Sequence, residues 1–273
     1  MIRSMMRLFR LRLALLNGVA AAGGHCLFPS ALAQGALWTV VAGVTLLAAG
    51  GSALNQVMER DIDRLMARTS RRPLPNGDLS PATATAIGVA TLLAGLLVLG
   101  AEDKTLPSLL GAMAVAWYLG VYTPLKRHTP FALAVGGVCG AVPPVIGWCN
   151  AGGEPTDYRI MLLAGLLYLW QIPHFWLFQR RHAEEYRCAG IPLFDLRLPE
   201  FGTAGLCRLW LLALAAASLL LPAFGIIEGN AARWYLVVPV GLCILAYSRS
   251  EDLLGSGINL FPLLVTLALV FQR

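Results

Sequence analysis

The chain has 273 residues, of which 57% are apolar and only 13% charged, about half the charged share of soluble proteins. That composition excludes a soluble enzyme with a small anchor, a disulfide-built secreted module and a disordered tail protein. The net charge of +6 sits in short loops between apolar runs, which reads as membrane orientation and not as nucleic-acid binding.

A spanning helix needs roughly 20 mainly apolar residues. Nine such runs follow one another, at residues 13–31, 36–58, 82–100, 106–122, 131–149, 160–178, 204–227, 234–248 and 257–271. The expected fold is therefore all-α, a polytopic membrane protein of about nine transmembrane helices forming one integral-membrane domain over residues 1–273. Arg3, Arg7, Arg10 and Arg12 precede the first run, and Ala31-Leu32-Ala33 resembles a signal-peptidase site. Further spans follow at once and Asn17 and His25 interrupt the run, so it reads as an uncleaved first span. Seventeen Lys and Arg fall on the N-terminal side of this map and four on the other, which predicts a cytoplasmic N-terminus and an external C-terminus in the cell membrane. The loops after spans two and six are then cytoplasmic, and the two spans echo each other by opening into polar, Arg- and acid-bearing stretches. Six cysteines without close pairing read as small core residues.

After span two comes NQVMERDIDRLMARTSRRPLP, starting at Asn55. If the helix continues, Asn55, Glu59 and Asp63 recur at i, i+4 and i+8, one stripe of oxygen ligands drifting about 40° per step. Glu59 and Asp63 repel each other, and a divalent cation would turn the repulsion into chelation. Mg2+ takes one or two carboxylates plus substrate phosphate, so the stripe suits a metal–diphosphate complex. Arg60, Arg64 and Arg68 form a second stripe, with Arg71 and Arg72 before Pro73. These guanidinium groups suit a diphosphate or lipid phosphates. Asp61 reads as an i+3 partner of Arg64.

In YTPLKRHTP, from Tyr122, Lys126 and Arg127 lie between two prolines and would reach a diphosphate if the loops converge. His128 and His25 read as bland. In WQIPHFW, from Trp170, Pro173 predicts a kink. His174 beside it is a candidate for haem-iron ligation, for cation stabilisation or for a structural hydrogen bond. Glu184 and Glu185 could form a second cation site or pair with Arg180 and Arg181 at i+4, and the spacing favours the pairing. Trp117, Tyr118, Trp170, Phe175 and Trp176 are candidates for lining an apolar cavity or for ordinary packing.

Together these stretches, with GAVPPVIGW from Gly140 and EEYRCAGIPL from Glu184, resemble the heme O synthase (protoheme IX farnesyltransferase) branch of the UbiA-type intramembrane prenyltransferases. The resemblance covers about residues 42–192. It implies a bundle around a central cavity with cytoplasmic capping loops. It also implies Mg2+ as cofactor, and farnesyl diphosphate, heme B and membrane lipid as partners, with heme A synthase or oxidase-assembly factors as further candidates. The implied reaction transfers farnesyl to a heme vinyl group with water addition and diphosphate release. Asn55, Glu59 and Asp63 match the family's first metal–diphosphate motif. Arg68, Arg72, Lys126 and Arg127 match its basic positions, and His174, Glu185 and Tyr186 its second polar region. Glu59 and the Glu184-Glu185 pair stand where Asp is common, Arg10-Leu11-Arg12 replaces a Lys-Pro-Arg entry, and Phe194-Asp195 replaces Leu-Pro. The alternatives are a sibling enzyme acting on a quinone precursor or chlorin, and a heme or ion-coupled transporter.

Overall fold

In the computed structural model the described residues are 2–29, 34–101, 105–193, 202–248 and 250–271. The expectations for Ala31-Leu32-Ala33, for Phe194-Asp195, and for Lys104 and Arg273 as external charges lie outside them. All regular structure among the described residues is helical. A short helix α1 (Ile2–Leu8) leads into α2 (Leu11–Leu27). Then follow α3 (Gln34–Met58), a short α4 (Arg60–Leu65) and α5 (Pro81–Leu99). Helix α6 (Thr105–Ala116) passes through a π-helical stretch at Trp117–Tyr122 into α7 (Thr123–Leu125). Next come α8 (Ala132–Asn150), α9 (Tyr158–Arg181), α10 (Ala183–Cys188), α11 (Gly202–Ser218), α12 (Leu220–Ala223), α13 (Gly229–Tyr235), α14 (Val237–Ala246) and α15 (Glu251–Phe271).

Eight helical stretches among the described residues are long and apolar enough to cross a membrane, and α2 is a ninth apolar helix of 17 residues. The nine expected runs each coincide with one of these, the last two starting earlier than expected, at Gly229 and Asp252. Large side chains such as Leu93, Leu97, Leu109 and Met113 stand more than half exposed on the outer faces. A soluble protein would not tolerate that, but lipid is a good solvent for them. The chain is an integral membrane protein.

Helix α3 packs mainly on α5 and α2, and α8 lies between α2 and α9. Close approach of α2 and α8 depends on glycine. A Cβ on Gly24 would lie 1.9 Å from the Pro144 carbonyl oxygen, and one on Gly147 1.8 Å from the Ala21 carbonyl oxygen. Small residues at such crossings let backbones gain dispersion contact where no hydrophobic effect drives helices together. A second core joins α9, α11, α14 and α15 around Leu163, Leu211, Leu214, Leu242 and Phe261.

Helix α9 runs uninterrupted through Pro173. Proline has no N–H, so it orphans the carbonyl four residues earlier, a costly group at membrane depth. Trp210 of α11 answers this, its indole N–H donating to the Leu169 carbonyl at 3.0 Å. The same device recurs in α15, where Pro262 frees the Ile258 carbonyl and the Trp170 indole donates to it at 2.7 Å. Trp170 is thus a structural donor and not, as its sequence position allowed, a cavity wall.

Replacing Trp210 by Phe keeps the ring and removes only the donor. Thermal or denaturant unfolding in detergent should show a loss of about 1–3 kcal/mol, and an unchanged midpoint would dismiss the carbonyl-capping role.

Candidate active site

Two helix breaks build the site. Helix α3 ends where Glu59 adopts φ −110°, ψ 13°, and α9 ends where His182 adopts φ −115°, ψ 26°. Each break launches a six-residue helix, α4 and α10. The two short helices converge through Ile62, Met66, Ile191 and Tyr186, which gives the sequence echo of spans two and six a structural form. The expected continuous helix through Asp63 is therefore bent, yet the ladder survives. The Glu59 N–H still donates to the Asn55 carbonyl at 3.0 Å and the Asp63 N–H to the Glu59 carbonyl at 2.8 Å.

Asn55, Glu59 and Asp63 are 3%, 2% and 1% exposed, and all three line one polar chamber of about 110 Å³. Arg68, Arg72, Lys126 and Tyr186 line it too, as do Arg10, Tyr118, Tyr122, Phe175, Phe178 and Gln179. Arg72 Nη1 reaches both oxygens of Asp63, at 2.8 and 2.7 Å. The Lys126 ammonium pairs with the Glu59 carboxylate and lies 5.8 Å from the Tyr122 ring centre. Burial pulls the Lys126 pKa below its ordinary value, with Glu59 working against that shift. Two buried anions are thus each matched by one cation, the condition for keeping charge at such a site.

The amide orientation of Asn55 follows from its neighbours. Thr123 Oγ1 donates its hydrogen to the Tyr118 carbonyl at 2.8 Å. It can therefore only accept from Asn55, whose Nδ2 lies 3.1 Å away. The Asn55 carbonyl oxygen remains for a cation. Tyr118 and Tyr122 belong to the π-helical stretch, a feature frequent at functional sites, and stack at 5.8 Å. No set of three or more His, Cys, Asp or Glu among the described residues could hold a metal alone. Two carboxylates and an amide oxygen fit Mg2+ that completes its shell with water and phosphate oxygens.

Several expected residues lie elsewhere. Arg60 and Arg64 are exposed and line no part of the chamber. Arg127 does not reach it either. Its guanidinium clamps Asp61 at 2.9 and 3.0 Å and donates to the Met58 carbonyl at 2.8 Å, fastening the Lys126 loop to the end of α3. Asp61 is thereby paired with Arg127 and not with Arg64, and this bond holds its carboxyl below the usual carboxylate range. Glu184 pairs with Arg187 and Arg181 with Asp252, in place of the expected i+4 pairs. Glu185 stands 3.9 Å from Arg68, behind the chamber wall. His174 lines neither cavity; it stacks on Trp170 at 4.7 Å and hydrogen-bonds Asn259. Of the candidate aromatic residues Tyr118 and Phe175 line the site, whereas Trp176 is buried in the core and Trp117 donates to the Val135 carbonyl at 2.9 Å.

Two chamber residues were not among the expected site residues: Gln179, whose buried Oε1 has no hydrogen-bond partner among the described residues, and Arg10, noted in sequence only as part of the basic entry to the first helix. Arg10 is the one non-glycine described residue with positive φ, at 46°, and it turns α1 into α2. Its signal was present as a break between a basic run and the first apolar run. Adjoining the chamber is an apolar cavity of about 170 Å³. Tyr118, Tyr122 and Phe175 wall both.

The model of the UbiA prenyltransferase family matches residues 13–253. A relative from Geobacter sulfurreducens, a protoheme IX farnesyltransferase, is 60% identical over 272 residues, covering 100% of both chains. Another, from Oleidesulfovibrio alaskensis and of the same name, is 40% identical and covers 100% of this chain and 97% of its own. Among solved structures, a UbiA homologue from Aeropyrum pernix superposes with a TM-score of 0.71 at 20% identity, covering 96% of this chain and 98% of that one. A UbiA homologue from Archaeoglobus fulgidus bound to GPP and Mg2+ gives 0.66 at 18%, covering 98% and 99%.

Lys126→Met should cost about 2–4 kcal/mol of unfolding free energy in detergent, because it strands the Glu59 carboxylate. Adding Glu59→Gln should recover at least half of that loss. Purely additive losses would show that the two groups do not neutralise each other.

Proposed function

Because the chain belongs to the UbiA prenyltransferase family, we propose that it transfers the farnesyl group of farnesyl diphosphate to a vinyl group of heme B. Water is added and diphosphate released, giving heme O. The observation that carries this reading is the convergence of Glu59, Asp63, Arg68, Arg72 and Lys126 on one chamber that adjoins an apolar, aromatic-walled cavity.

Mg2+, held by Asn55, Glu59 and Asp63, would supply positive charge to the departing diphosphate. Arg72 and Lys126 already neutralise the two acids, so they stand within reach of a diphosphate brought to those acids. There they exchange carboxylate for phosphate oxygens, a stabilisation placed where negative charge develops. Arg68, over the Phe178 ring at 4.9 Å, and Arg10 add charge at the rim. Tyr118, Tyr122 and Phe175 line both cavities, where aromatic rings would keep bulk water from an allylic cation and attract its charge. Arg127 acts through position, by fixing the loop that carries Lys126. The exposed Arg60 and Arg64 suit lipid phosphates. His174 suits the structural alternative, and Glu185 steadies Arg68.

The whole chain acts as one membrane domain, with the chamber and the N-terminus on the cytoplasmic side and the C-terminus outside. The charge bias of the loops supports that orientation. A membrane enzyme or oxidase-assembly factor that consumes a farnesylated heme is the corresponding partner.

The test is a transfer assay on protein reconstituted in lipid, with farnesyl diphosphate and heme B, with and without Mg2+. Wild type should make a farnesylated, hydroxylated heme identified by mass. Asp63→Asn should lower the rate by about 10²-fold or more, the scale of losing one transition-state charge contact. Wild type giving no farnesylated heme where a known enzyme succeeds would refute the assignment. Diphosphate release unaffected by Asp63→Asn would refute the role of the ladder.

A further inference from the structure

The apolar cavity contains one group that packing does not explain. Gln171 is carried by α9 in the middle of a spanning segment and lines this cavity one turn from Phe175. No hydrogen bond ties its amide to another described residue. The amide is half-buried at the cavity wall, so a polar guest in the cavity is what would complete its hydrogen bonding. The facing helix also makes room for it. A Cβ on Gly140 would fall 1.8 Å from Gln171 Nε2, so α8 lets the amide lie directly against its backbone. Asn17 lines the cavity from α2 and spends its Nδ2 on the Leu13 carbonyl at 2.8 Å. Its oxygen is left as an acceptor. Ser52 adds a hydroxyl from α3. Three polar groups thus line this cavity, and a held water needs two to four polar partners.

The proposed reaction makes an opposite demand at its two stages. Water must be kept from the farnesyl cation, yet one water must be admitted after the vinyl carbon has bonded to the farnesyl C1. We propose that Gln171 is the positioning residue for that second event, holding a single water in the apolar cavity. This rests on the farnesyl-transfer reading above. The bond from the terminal vinyl carbon to farnesyl C1 leaves a cation on the carbon next to the porphyrin ring. The held water forms a C–O bond to that carbon, and its proton passes to the diphosphate released in the same reaction. If no water is held there, the same cation loses a proton from the neighbouring CH2 to the diphosphate. A C=C bond forms, and the product is lighter by one water. Glutamine suits the task because its oxygen accepts from the water without adding a charge that would trap the first cation.

The experiment measures the ratio of hydroxylated to dehydrated farnesyl heme by mass in the reconstituted wild type, Gln171→Met and Gln171→Glu. The ratio is independent of total rate. Gln171→Met keeps the length and loses the hydrogen bonds, and its ratio should fall about tenfold, the worth of one such bond. Gln171→Glu retains an acceptor, so although its added charge should lower total farnesyl transfer, the product that forms should stay hydroxylated. A Gln171→Met enzyme with the wild-type ratio would overturn the assignment, as would a glutamate variant as dehydrating as the methionine one. If Gln171→Met fails to fold, Gln171→Leu and Gly140→Ala, which crowds the amide, are read by the same ratio. A wild type making no farnesylated heme refutes the parent reading instead, so the two failures are distinguishable.

Discussion

Two carboxylates buried at the end of an apolar bundle must be neutralised or they cannot stay ionised. The rest of the site follows from that requirement. Glu59 and Asp63 are nearly inaccessible, and the desolvation of each would cost several kcal/mol without a partner. Lys126 arrives from the turn after α7 and Arg72 from the loop before α5, one for each acid. Their own connections are pinned in turn. Arg127 ties the Lys126 loop to the end of α3, and the Thr69 hydroxyl donates to the Asp63 carbonyl at 2.9 Å. The polar cap of the bundle is therefore, first of all, a charge-balancing structure.

Such balance is well suited to a leaving group carried by a cation. A metal–diphosphate complex brings both charges at once. The acids can pass to the metal and the bases to the phosphate without any group being left unpaired in a low dielectric. The bundle beneath is governed by the same rule applied to neutral groups. Prolines in α9 and α15 orphan carbonyls, and tryptophans from neighbouring helices satisfy them. Gln171 departs from the pattern, which is why it invites a functional explanation.

Apolar run length made the helices legible, because lipid imposes internal hydrogen bonding and hence helix on every span. The i, i+4, i+8 ladder was legible for the same geometric reason, and it tolerates the bend at Glu59 because the carbonyl ladder stays intact through it. Side-chain pairing was much less legible. Asp61 and Arg64 have the right spacing, but tertiary approach of the Arg127 loop wins with two bonds at once. Aromatic residues in one apolar stretch look alike in sequence, and only the neighbouring helix decides whether Trp170 serves a cavity or an orphaned carbonyl. Arg10 was hidden because its importance lies in a turn and not in a periodic pattern.

The most direct measurement is binding without turnover. Titrating a non-reactive farnesyl thiodiphosphate into the reconstituted protein with Mn2+ as a paramagnetic stand-in, and following the Mn2+ resonance, reports both ligands at one site. If Glu59 and Asp63 grip the cation and through it the diphosphate, each ligand should tighten the other. The coupling should vanish in Glu59→Gln with Asp63→Asn. Tight analogue binding that is indifferent to Mn2+, or Mn2+ binding that survives loss of both acids, would contradict it.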